Sequence, residues 1–155
     1  MRRLVLGLVL LLIASPAAGA RSFEMPTGSG FLQFRSVAKG EASITIGYLS
    51  APSQIFGPRN LRGVMCVDEQ SLQTCVKLKR SSGRTIWKVL RPVKLMHTQR
   101  GAYMIRIKGA TDLHDVFISG CGGITLKGEG QYSLDGTDVV SYWGKRFPIK
   151  LLLKP

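Results

Sequence analysis

Along much of this chain the apolar residues fall on every second position. From Val116 to Gly136 the even positions read Val, Ile, Gly, Gly, Ile, Leu, Gly, Gly, Tyr, Leu and Gly, whereas the odd ones are mostly Ser, Cys, Thr, Lys, Glu, Gln and Asp. A period of two marks a β-strand with one buried face, because successive side chains leave a strand on opposite sides. The same pattern runs from Gly28 to Tyr48: Leu32, Phe34, Ala38, Ala42, Ile44, Ile46 and Tyr48 are even, and Gln33, Arg35, Lys39, Glu41, Ser43 and Thr45 are odd. Shorter strands are expected in "TIWKVL", "RPVKLM" and "YMIRIKG", and "FPIKLLLKP" directs Ile149, Leu151 and Leu153 inward. After residue 20 no window of eleven or more residues has helical spacing. The prediction is an all-β fold: a single small antiparallel β-sandwich or barrel-like domain of eight to ten short strands.

Glycine punctuates this pattern. The pairs at 120/122 and 128/130 fit three-residue turns, which preserve the inward parity, so "GITLK" and "QYSLD" read as strands of about five residues. One long strand bent at glycine kinks is the alternative. "APSQIFGPRN" reads as the longest loop, "TDLHDV" as a polar loop leading into a strand over 116–119, and "SSG" at 81–83 as the turn of a hairpin between "VKLKR" and "RTIWKVL".

The first twenty residues look like a secretory leader. Arg2 and Arg3 precede the apolar run "LVLGLVLLLIA", and Ala18 and Ala20 are the small residues of a cleavage site. The run is too hydrophobic for a twin-arginine leader, which favours Sec export and cleavage after Ala20. The expected organisation is a signal peptide over 1–20 and one domain over 21–155, with no transmembrane span in the mature form. Export to the periplasm, cell envelope or exterior follows.

Composition then narrows the function. Loss of Arg2 and Arg3 takes the formal net charge from +13 to +11, a balance that suits anionic surfaces such as lipid head groups, acidic glycans or nucleic acid, and an envelope protein is the other expected partner. The densest run of charge is Lys77, Lys79, Arg80, Arg84, Lys88, Arg91 and Lys94, with no acid among them. In the expected hairpin Val76 and Leu78 turn inward and Lys77 and Lys79 outward, with Arg80 and Arg84 near the tip. Trp87 is the only aromatic residue there, too few for a single-strand nucleic-acid platform, so no specific nucleic-acid partner is expected. Tyr142, Trp143 and Phe147 beside Lys145 and Arg146 suit a sugar-stacking or membrane-interface patch, or equally core aromatics at a strand end.

Thiols in an oxidising compartment tend to pair. Cys66 and Cys75 flank the polar "VDEQSLQT" and are expected as a disulfide across a hairpin, leaving Cys121 odd; spacing alone does not fix connectivity, and a bridge from Cys121 to either of them is the alternative. Asp112, His114 and Asp115 begin a metal-like cluster, but zinc wants at least three well-spaced ligands and only Cys121 could join them, so no metal is expected. The glycine pairs do not match a phosphate loop, and no cofactor is implied.

Two resemblances bear on these residues. "SGC" at 119–121 resembles the S-H-G-C signature of L,D-transpeptidases, which cross-link cell walls; it implies Cys121 as nucleophile with His97 or His114 as base. The chain departs from that signature, lacking its His and having Gly122 and Gly123 where the family has an apolar residue and then Arg or Asn. "GITLKGEGQYSLDG" and "GSGFLQF" resemble short secreted bacterial proteins made of GxG-punctuated strands, which implies an all-β fold and transfers no activity and no site residue. The expectation is an exported, non-enzymatic β-domain that contacts anionic envelope components or another protein through a basic surface; a cysteine-dependent cell-wall enzyme is the alternative.

Overall fold

The computed structural model describes residues 21–37, 39–61, 65–68, 71–73, 76–81, 84–144 and 146–154, and side chains outside 62–85. The expected leader and the Cys66–Cys75 pair lie outside the described residues or side chains.

The domain is all-β, with no helix among the described residues. Its strands are β1 (Ser22–Ser36), β2 (Glu41–Leu49), β3 (Ser53–Gly57), β4 (Met65–Asp68), β5 (Ser71–Gln73), β6 (Val76–Ser81), β7 (Arg84–Val89), β8 (Val93–Arg100), β9 (Met104–Ser119), β10 (Gly122–Leu134), β11 (Val140–Trp143) and β12 (Ile149–Leu153). They form one open antiparallel sheet in the order β11-β10-β1-β9-β2-β8-β4-β5, with β12 also on β10, β3 on β9 and β7, and β6 on β7.

The expectation of short strands fails at three places. β1, β9 and β10 run for 15, 16 and 13 residues and lie side by side as β10–β1–β9. Both flanking strands change their outer partner half-way. β9 pairs with β3 through residues 106–108 and with β2 through 113–119, while β10 pairs with β12 through 122–126 and with β11 through 129–132. Both changes fall at one level, where Gly28 and Gly30 of β1 face Gly130 and Gly128 of β10, and the β1–β9 ladder slips register between Gly28 and Leu32. Glycines and bulges are the devices that let a twisted sheet bend sharply. Here they fold the sheet over itself.

The fold line creates two layers. The first comprises β11, the later half of β10, the earlier half of β1, the later half of β9, then β2, β8, β4 and β5. The second comprises β12, residues 122–127 of β10, the later half of β1, residues 104–109 of β9, then β3, β7 and β6. So sharp is the bend that both ends of β1 reach the same dipeptide: Gly120 N–H donates to the Arg21 carbonyl at 3.2 Å, and Val37 N–H donates to the Cys121 carbonyl at 3.2 Å. Side chains from both layers make one core, including Phe23, Met25, Ile44, Ile46 and Ile118 from the first and Leu32, Phe34, Ile105, Ile107, Ile124 and Leu126 from the second. Tyr103, just before β9, ties them together. Its hydroxyl donates to the Ala42 carbonyl at 2.7 Å, and its ring meets Phe34 and His97 edge-on.

Parity holds over much of the core and slips at identifiable points. Ala42, Ile44, Ile46, Val116, Ile118, Ile124, Leu126 and Leu153 are buried as expected, with Ile149 and Leu151 half-buried against them. Tyr48 is not inward. Leu49 takes the buried place, because Met25 to Gly28, Ile46 to Leu49 and Leu113 to Val116 all switch faces at one level, where Asp115 adopts φ 51°. "GEG" is a bend inside β10 rather than a turn, and "GCG" joins two strands that have β1 between them. "TDLHDV" lies within β9, and the expected long loop contains β3.

Candidate functional site

Folding the sheet sorts its charges. The strand segments of the second layer carry Arg35, Lys77, Lys79, Arg80, Arg84, Lys88, Arg106, Lys108, Lys127 and Lys150, and no carboxylate. The strand acids, Glu24, Glu41, Asp68, Asp112, Asp115 and Glu129, lie in the first layer or on the fold line, where the strand cations are Lys94 and Arg100. One face of the molecule is thus a cationic sheet. Arg35, Lys88, Lys108, Lys127 and Lys150 are exposed on it, and half-buried Arg106 donates from Nε to Gln33 Oε1 at 2.9 Å.

The basic run read from the sequence is divided by the fold. Its first five residues lie on β6 and β7, which pair as the expected hairpin, although a register shift between Lys77 and Lys79 interrupts the alternation. Side chains from Lys77 to Arg84 are outside the described set. Arg91 lies in the bend after β7, and Lys94 lies on β8 in the opposite layer. Arg106, Lys108, Lys127 and Lys150 complete the face, and sequence reading missed them. They sit in three separate short segments, with Arg106 and Lys108 together on β9, and only the pairing of β12, β10, β1, β9, β3 and β7 brings them onto one face.

Near the fold line the basic face carries a trough. Its wider part, about 590 Å³, is lined by Ser29, Gly30, Phe31, Lys108, Gly109, Ala110, Thr111, Lys127, Gly128 and Glu129. A smaller part of about 250 Å³ continues past Pro52, Ser53, Gln54 and Lys88 and shares Lys108 and Gly109. Lys108, Gln54 and Lys88 stand directly opposite one another across β9, β3 and β7, so they share a face. Phe31 and Lys127 are likewise opposite, as are Glu129 and Trp143. Lys108 Nζ lies 5.1 Å from the centre of the Phe56 ring. None of Lys88, Lys108 and Lys127 meets a carboxylate among the described residues.

The aromatic cluster separates by role. Tyr142 is a core residue whose hydroxyl contacts Met25 Sδ at 3.4 Å, while Trp143 and Phe147 are 76% and 80% exposed. The nucleophile, base and metal candidates fall on different elements. Cys121 is a free, half-buried thiol in the dipeptide that joins the ends of β1. His97 is buried, with Nε2 3.2 Å from Gln99 Oε1. His114 Nε2 lies 2.8 Å from Asp112 Oδ1, with its ring against Tyr48. No metal-holding group of three His, Cys, Asp or Glu side chains occurs among the described residues.

Comparison of the chain with protein-family models, curated proteins and solved structures gave no match. Among the described residues no helix is long and apolar enough to cross a membrane.

Proposed function

We propose that this protein is an exported, non-enzymatic binding domain that holds an anionic component of the cell envelope against the outer face of its second layer. One observation carries the reading: the strand segments of the second layer hold ten cations and no acid, whereas every strand acid lies in the first layer or on the fold line. Unpaired cations on a shared surface raise the local concentration of an anionic polymer and hold it at several points, whereas scattered charges only solubilise. The leader-like residues 1–20 support export, and removal after Ala20 leaves a domain with a +11 charge.

The test is retention on immobilised dextran sulfate. The wild-type domain is expected to bind at low salt and to elute steeply as salt rises, since exposed charges are screened over about 10 Å at 0.1 M. A triple variant, Lys88→Glu, Lys108→Glu and Lys127→Glu, should pass through unretained, and Lys94→Glu in the other layer should behave as wild type. Equal retention of the triple variant and the wild type would refute the reading.

A further inference from the structure

The trough on the basic face is more specific than a field of charge. Its floor is narrow in side chains, because Gly30, Gly109 and Gly128 come together at the fold line. Lys127, Lys108 and Lys88 follow one another across the sheet on β10, β9 and β7, each two strands from the next. Two strand spacings are about 10 Å, roughly the length of a disaccharide unit. Between the first two lysines lies the half-buried Phe31 ring. Two residues further along β10 Glu129 also lines the trough, and Trp143 of β11, outside the lining, stands directly opposite Glu129 on the same side of the sheet.

Resting on the proposed anion-binding reading, we infer that this trough binds an acidic polysaccharide laid across the strands. Its acidic groups fall on Lys127, Lys108 and Lys88, and its sugar rings stack on Trp143 and Phe31. Exposed indole and phenyl faces pack against the C–H face of a pyranose, a contact that polyphosphates cannot make. Glu129 accepts hydrogen bonds from sugar hydroxyls but repels an uninterrupted run of phosphates. The alternation of aromatic, cationic and single acidic groups therefore selects a glycan with spaced charges.

Titration of the folded domain with alginate oligosaccharides, polyphosphate, neutral dextran oligosaccharides and phosphatidylglycerol vesicles tests this, read by calorimetry and by tryptophan fluorescence. Alginate is expected to bind most tightly and to shift the fluorescence. Trp143→Ala removes a side chain that is already 76% exposed, so the fold should persist by circular dichroism. It should weaken alginate roughly fivefold to tenfold, the size of one lost ring contact, and leave polyphosphate unchanged. Lys108→Gln should weaken both. If polyphosphate or vesicles bind as tightly as alginate and Trp143→Ala alters nothing, the glycan assignment falls while the anion-binding reading stands. If no anionic probe binds even at low salt, both fall.

Discussion

Gly30 of β1 and Gly128 of β10 face each other across the fold line, with φ of 96° and 134°, and a methyl group on either would run into the backbone of the other strand. On Gly30 it would meet the Lys127 carbonyl oxygen, and on Gly128 the Ser29 carbonyl oxygen. Both restrictions act at once, since L-residues avoid this φ range and the strands cannot separate without opening the bend. Gly128→Ala is expected to cost about 1–3 kcal/mol from backbone strain alone. Gly123→Ala lies on the same strand with nothing within 4 Å, and should stay within about 0.5 kcal/mol of wild type. Urea midpoints of the two variants check this contrast.

Asp135 holds the start of β1. One carboxylate oxygen, Oδ1, accepts the backbone N–H groups of Arg21 and Ser22, each at 2.8 Å, and the Ser22 hydroxyl at 3.2 Å. The Ser22 N–H, then the Arg21 N–H, hold its pKa below the ordinary value. A depressed folded pKa means the contribution to stability is complete above the unfolded value of about 3.9 and fades as pH falls through the folded one. Asp135→Asn keeps an acceptor oxygen and tolerates the φ of 51°, so it should alter neutral stability little and flatten the acid limb of Tm against pH. Asp135→Ala should lower Tm at neutral pH as well. If the leader leaves after Ala20, intact mass will begin at Arg21, whose freed ammonium then sits on this carboxylate.

Alkali should act through the buried phenols. Burial, with Glu129 adding to it, pushes Tyr142 up to about 12, and burial raises Tyr103 further. For groups raised in the folded state, the stability they contribute is intact below the unfolded pKa of about 10 and is lost as pH climbs through the folded values. Urea midpoints should hold to about pH 10 and then decline, and Tyr142→Phe should make the decline shallower. Below about pH 10 Tyr103→Phe should lower stability by about 1 kcal/mol or more, because the buried Ala42 carbonyl loses its partner, and the loss should shrink as pH rises further.

Ser50 is a third point of control. Its hydroxyl oxygen accepts the N–H groups of Thr111 and Asp112 at 3.0 and 2.9 Å, and its own N–H donates to the Asp112 carbonyl at 3.0 Å. It thereby pins the end of β2 to β9 beside the fold line. Ser50→Ala should cost about 1–2 kcal/mol, and hydrogen exchange should show Thr111 and Asp112 losing protection first.

Strand content and much of the inward face were legible, because period-two alternation is a local signal that survives wherever a strand is regular. Ile44 with Ile46, and Ile124 with Leu126, follow it without exception. What escaped was decided by partners far away in sequence. "GEG" with φ > 0 reads the same in a turn as in a kink, and only the approach of Gly28 and Gly30, about a hundred positions earlier, makes it a kink. Tyr48 and Leu49 exchange faces because Asp115 on the adjacent strand does not follow the alternation. The basic face was half visible for the same reason. The run from Lys77 to Lys94 is contiguous and catches the eye, yet its last member lies in the other layer, while Lys108 and Lys127 looked like ordinary strand polar positions.

The placement of β1 has a consequence for how the chain reaches this form. The first strand is central, and both its neighbours come late: β9 begins at Met104 and β10 at Gly122. During synthesis the earliest strand of the domain must therefore wait, with its amides and carbonyls on water, until more than two-thirds of the sequence has emerged. Closing contacts so distant in sequence makes folding slow and nearly all-or-none, with little native pairing for β1 in a partial chain. Residues 41–100 have pairings of their own, β2 with β8 and β6 with β7, so it is the docking of β1, and with it Phe23, Met25, Leu32 and Phe34 of the core, that waits for β9 and β10.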